Sequence, residues 1–171
     1  MSNAIDMSFM FSGASSANPD VSNWDVSNVT DMNNMFRSAS NANPDMTLWD
    51  VSSVTDMNRM LLDSNLGATN LNSWDVSNVT NMELMFKSSL NANVDCRDWD
   101  VSNVTNMRSM FEDSNLSEEN LTACYENWSQ LNLQQNVEFS AGTTKYNASG
   151  QAGRDVLVNT YNWTIEDGGQ V

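Results

Sequence analysis

Trp74-Asp75-Val76-Ser77-Asn78-Val79-Thr80 is the phrase around which this chain is organised, because close versions of it recur at one interval on both sides. Trp24, Trp49, Trp74 and Trp99 lie 25 residues apart, and each is followed by a methionine-rich phrase ending in Met35-Phe36, Met60-Leu61, Met85-Phe86 or Met110-Phe111. Met10-Phe11 sits one period earlier. A fixed period in this range is expected of units that cannot bury their own apolar face and stack on their neighbours instead.

Inside a unit the apolar spacing changes partway. Trp24 and Val26 alternate with polar Asp25 and Ser27, which predicts a strand, whereas Val29, Met32, Met35 and Phe36 recur at three and four, which predicts a helix. Asn28, Ser53, Asn78 and Asn103 stand just before the helical spacing, where N-caps belong, with Asp31, Asp56, Asn81 and Asn106 three residues on. Polar return loops follow at 16–20, 40–45, 64–70 and 89–95, with Pro19 and Pro44 fixing the backbone. The methionines at 7, 10, 32, 35, 57, 60, 82, 85, 107 and 110 share the register of Phe36, Phe86 and Phe111. That register predicts gap-filling core rather than a soft-metal surface.

The fold class expected is α/β: a right-handed leucine-rich-repeat type solenoid of 25-residue strand-turn-helix units, closed by a C-terminal α+β cap. Residues 1–116 supply a leading half unit and four full units, and residues 117–171 the cap. Within that cap the spacing predicts a helix over 117–130, a strand over 136–140, a helix over 149–160 and a last strand from Trp163. The chain begins mid-unit, as expected where more sequence lies upstream or where self-association covers the N-terminal edge; Ser2-Asn3-Ala4 also reads as the remnant of a cleaved tag.

The phrase Trp-Asp-Val-Ser-Asn-Val-Thr-Asx-Met followed by Met-Phe, as it stands at 24–36 and 74–86, resembles the BspA-like leucine-rich-repeat surface proteins of bacteria. The likeness covers residues 1–116, and Trp163-Thr164-Ile165-Glu166-Asp167-Gly168-Gly169 looks like C-terminal segments of that family. The resemblance implies a cell-surface or secreted protein associated with adhesion or protein binding. It also implies the leucine-rich-repeat solenoid itself.

Charge narrows the partners. Seven basic residues against 22 acidic ones give a formal net charge of −15, spread along the chain. A surface of that sign repels phosphate backbones and anionic headgroups, so no nucleic acid and no direct membrane insertion are expected. No apolar run is long enough to span a bilayer and no export signal is present, so the surface or secreted location expected here depends on a signal outside these residues.

Two columns of four residues carry the candidate site. The position before each tryptophan varies, as Asn23, Leu48, Ser73 and Asp98, and strand alternation places it beside Asp25, Asp50, Asp75 and Asp100 on an open face. That face is expected to take a protein or glycan ligand; a passive spacer in a larger surface protein and a calcium-stabilised carbohydrate-binding module are the alternatives. Stacked aspartates ~4.8 Å apart repel by about 1 kcal/mol in water, so something must compensate them. Asx-turn hydrogen bonds from the backbone at Ser27 and Asn28 are the first expectation, and a bridging calcium the second. Cys96 and Cys124 are expected to be buried in neighbouring layers, as free thiols or as a disulfide. The chain has no histidine, phosphate loop or nucleophile elbow, and carboxylates recurring in every layer point to structure rather than a single catalytic site, so no enzyme is expected.

Overall fold

The computed structural model describes residues 3–65 and 70–171. Ser2 and the centre of the return loop expected at 64–70 lie outside the described residues. The expected α/β class, a right-handed leucine-rich-repeat solenoid of strand-turn-helix units, is overturned. Among the described residues the regular elements are α1 (Glu118–Trp128), β1 (Glu138–Ser140), α2 (Gln151–Tyr161) and β2 (Thr164–Glu166), and none lies in the 25-residue units.

The units are built from turns. Where a helix was expected, the Met35 N–H bonds the Met32 carbonyl at 3.2 Å, Arg37 bonds Asn34 at 3.2 Å and Ala39 bonds Phe36 at 3.1 Å, each three residues back. An α-helix would pair four residues back within itself. Instead the N–H groups between these leave the unit: Asn34 bonds the Asn58 carbonyl, Phe36 bonds Met60 and Ser38 bonds Leu62, all at 2.8 Å. This alternation needs left-handed residues, and Asn34, Ser38, Arg59, Asp63, Leu84, Ser88, Ser109 and Asp113 all have φ between 52° and 59°. A left-handed L-residue costs roughly 1–2 kcal/mol, which the cross-unit bonds offset. Apolar recurrence at three and four thus reported a chain returning to the core every third residue, which serial β-turns achieve as well as a helix.

The expected strand is also a pair of turns. Trp24 bonds the Val21 carbonyl at 3.0 Å and Val29 bonds Val26 at 2.8 Å, with the same pattern in later units. Only single parallel bridges remain, running Asp6, Asp31, Asp56, Asn81, Asn106. Beside them Thr55, Thr80 and Thr105 each place both the backbone N–H and the hydroxyl on the carbonyl of the threonine 25 residues earlier. The expected N-caps act between units rather than within one: Asn78 donates to the Ser52 carbonyl at 2.8 Å, Asn103 to Ser77 at 2.7 Å and the Ser53 hydroxyl to Ser27 at 2.7 Å.

The core is aromatic and thioether. Trp49, Trp74 and Trp99 are buried, and their indole N–H groups donate to the carbonyls of Val21, Met46 and Leu71 at 3.0, 3.1 and 3.0 Å. Trp24 stacks on Trp49 and Trp74 on Trp99 with centroids 6.5 and 6.3 Å apart. Phe11 on Phe36 and Phe86 on Phe111 stack at 5.2 and 5.1 Å. Every methionine of the two columns is buried except Met10, which lies with Ile5 and Phe9 at an exposed N-terminal edge.

The elements of residues 117–171 fall where the spacing placed them. Ser117 caps α1, accepting from the Asn120 N–H at 3.3 Å, with Glu118 and Glu119 in the first turn. β1 and β2 pair in parallel, Phe139 opposite Ile165, and the Met107 N–H bonds Glu138 at 3.1 Å. Hydrogen bonding therefore continues from the last 25-residue unit into β1, burying Met107, Met110 and Phe111. α2 closes on α1 at Gly153, where a Cβ would meet the Tyr125 carbonyl oxygen at 2.2 Å.

Two substitutions test these contacts. Trp74→Ala should cost about 3–5 kcal/mol in denaturant unfolding, as emptied aromatic sites do. Trp74→Phe, which keeps a ring but leaves the Met46 carbonyl without its indole donor, should cost about 1–3 kcal/mol. Equal stability of Trp74→Phe and the parent would show that the indole bond contributes nothing. Gly153→Ala should lose about 3 kcal/mol by forcing the helices apart, and a melting temperature within error of the parent's would refute that packing.

Candidate functional site

The variable column sits at turn tips. In each unit the first β-turn runs from Val21, Met46, Leu71 or Cys96 to the tryptophan, so Ser22-Asn23, Thr47-Leu48, Asn72-Ser73 and Arg97-Asp98 are its two central residues. Both bonding groups that close the turn belong to the flanking residues. The central side chains are therefore released from packing, which is why they vary, and the face is one of turn corners rather than of strands. Asn23, Leu48, Ser73 and Asp98 are all exposed, as are Asp25, Asp50, Asp75 and Asp100. Leu48 is 87% exposed, and Leu48, Asp50, Ser73 and Asp75 edge an open hollow of about 350 Å3 floored by Trp49 and Val51.

The aspartates are occupied by their own turns. Asp25 Oδ1 accepts from the Ser27 hydroxyl at 2.6 Å and its N–H at 3.2 Å, and Asp50 repeats this with Ser52 at 2.6 and 3.1 Å. Asp75 and Asp100 accept the N–H groups of Ser77 and Ser102, both at 3.0 Å. The same Asx arrangement recurs at two more corners per unit, as Asp20 with Ser22 at 3.1 Å and Asp31 with Asn33 at 2.8 Å. Hydrogen bonding to the charged form holds the Asp25 and Asp75 carboxyls below the usual carboxylate range, the Ser27 and Ser77 hydroxyls acting first and the backbone N–H groups second. Asn28, expected as a further donor, is a tip residue of the same turn.

For a cation the geometry offers little: among the described residues no three His, Cys, Asp or Glu side chains converge as a metal would require. Nor is any described helix long and apolar enough to cross a membrane. Four of the seven basic side chains are engaged in ion pairs, Arg59 with Glu83, Lys87 with Glu112, Arg97 with Asp95 and Arg154 with Asp167. The aspartates of the Leu48 face have no basic partner among these, so its field is anionic.

One cluster escaped the sequence reading. Asp167 Oδ2 receives both the Tyr125 hydroxyl and Arg154 Nε at 2.7 Å, and the Arg154 guanidinium lies 5.7 Å from the centre of the Tyr146 ring. Burial, with Asp167 beside it, pushes the Tyr125 phenol far above its ordinary value. With the Asp167 side chain 4% exposed, the set locks α1, α2 and the C-terminal segment together. These residues are scattered over 42 positions without a motif, so no local signal marked them.

The Asx corners give a pH expectation. Folded-state pKa values below the unfolded ~3.9 stabilise the protein above that pH, and the contribution is lost as pH falls through the depressed values. The carboxyl carbon shifts of Asp25 and Asp75 should titrate below pH ~3.9, and Ser27→Ala and Ser77→Ala should move each midpoint upward. Midpoints at the free-aspartate value in the parent would contradict the corner bonds.

No curated protein and no solved structure matches the chain. A family model described as Mycoplasma protein of unknown function, DUF285, matches residues 1–68 and 47–152, so most of the 171 residues are covered. No leucine-rich-repeat family model matches the chain directly. The chain belongs to the DUF285 family.

Proposed function

We propose that this chain is a non-enzymatic binding module of a cell-surface or secreted protein, and that it meets a protein or glycan partner through its turn-corner face. The observation that carries this reading is Leu48, held 87% exposed on a hydrogen-bonded turn at the rim of a hollow, with Asp50, Ser73 and Asp75 beside it. An apolar group on a rigid corner, ringed by carboxylates, suits a partner that offers an apolar contact surrounded by basic or hydroxyl groups. The net charge of −15 favours approach of a cationic surface and disfavours nucleic acid or anionic lipid. The relation of the DUF285 family to BspA-like surface repeat proteins supports the location and the adhesive role.

A passive spacer is the second reading, and the Asx bonds favour it: Asp25, Asp50, Asp75 and Asp100 already serve their own turns. The two readings part on mutation. A panel of matrix proteins and glycans should yield a ligand whose binding is abolished by Leu48→Lys together with Ser73→Lys, with an unchanged melting temperature. Unchanged affinity in that double variant would exclude this face, and a panel without any binder would favour the spacer.

A further inference from the structure

Cys96 and Cys124 are the only cysteines in the chain, and their sulfurs lie 2.8 Å apart, both buried. Non-bonded carbons settle at about 3.5–4.0 Å and sulfur is larger, so the two atoms are well inside ordinary contact. A disulfide at ~2.05 Å needs them to close by less than about 1 Å. The surrounding geometry holds them in place. Cys96 occupies the first apolar position of the last 25-residue unit, and its carbonyl accepts both the Trp99 N–H at 3.2 Å and the Trp128 indole N–H at 3.1 Å. Cys124 lies on α1, one turn before Trp128, so the indole bond that seats α1 against Cys96 also aims Cys124 at it.

We propose that Cys96 and Cys124 form a disulfide that fastens α1 to the last 25-residue unit when the chain folds in an oxidising compartment. The oxidant class is a small-molecule disulfide such as oxidised glutathione. One cysteine thiolate attacks it, forming a mixed disulfide and releasing one reduced thiol. The second cysteine thiolate then attacks the protein sulfur of that mixed disulfide, closing the Cys96–Cys124 bond and releasing a second reduced thiol. Two protein thiols lose two protons and two electrons in all, and the small disulfide gains them. Exchange precedes the final docking of α1, because burial in the folded chain pushes the Cys96 thiol up and keeps reagents out. The same burial protects the finished bond from reductant.

The test uses the whole chain, refolded from denaturant in a mixture of oxidised and reduced glutathione, then denatured, alkylated and weighed intact. The expected product is a monomer lighter by two hydrogens and carrying no alkyl label. Its melting temperature should exceed that of the chain refolded in reductant by roughly 5–10 °C, as closing a loop of this length suggests. A Cys96→Ala, Cys124→Ala variant should melt at one temperature with or without reductant. Two alkyl labels per chain after oxidative refolding, disulfide-linked dimers as the product, or an oxidised monomer no more stable than the reduced one would each overturn the proposal.

Discussion

The hydrogen bond from the indoles of Trp49, Trp74 and Trp99 to a backbone carbonyl 28 residues earlier is the contact on which the rest of the chain depends. A turn-rich unit has no internal ladder, so the groups its own turns leave unpaired must find partners in adjoining units or be buried unsatisfied. The indole is a second donor to the carbonyl that already closes the preceding unit's first turn, and it buries a large ring over its neighbour. Position and burial are thus set by one side chain, and within the units the 25-residue spacing returns each indole and each threonine to its partner one unit back. The threonine ladder repeats this logic at the opposite corner with a hydroxyl.

Past Trp99 the same bond survives a change of architecture. Trp128 donates to Cys96 at 3.1 Å and Trp163 to Gln134 at 2.9 Å, although Trp128 ends α1, Trp163 follows α2 and the 25-residue interval is gone. Segments of different length can therefore be added provided that their tryptophan returns to the same place over the preceding layer. The intervals of 32 residues between Cys96 and Trp128 and 29 between Gln134 and Trp163 show the tolerance. Asp167, joined to Tyr125 and Arg154, then ties the two helices to the chain's last residues.

Functionally, the construction separates two classes of position. Residues whose side chains fill the core or serve a neighbouring carbonyl keep one type from unit to unit, whereas the central residues of the first turn differ between units and are half-buried or exposed. The acidic corners lie between these classes: exposed, yet committed to closing their own turns. This makes Asp25 and its equivalents weaker candidates for ligand contact than Leu48 and Ser73, which close no Asx turn and line the same hollow.

By itself the sequence determined the 25-residue interval, the buried tryptophan, valine and methionine columns, the exposed variable column and the four elements after residue 117, because each is written in local spacing. It also determined that Cys96 and Cys124 are core residues. Only the tertiary structure decided what the units are made of. Apolar spacing of three and four is shared by a helix and by serial β-turns, and the choice between them lies in where the alternate N–H groups go. Those of Asn34, Phe36 and Ser38 go to carbonyls 24 residues away, which no local pattern encodes. The left-handed backbone at residues as unlike as Arg59 and Leu84 exists only because the next unit supplies those partners. Likewise the meeting of Cys96 with Cys124 follows from the extra length that α1 inserts, which carries Trp128 rather than Cys124 into the tryptophan column and leaves the two sulfurs face to face.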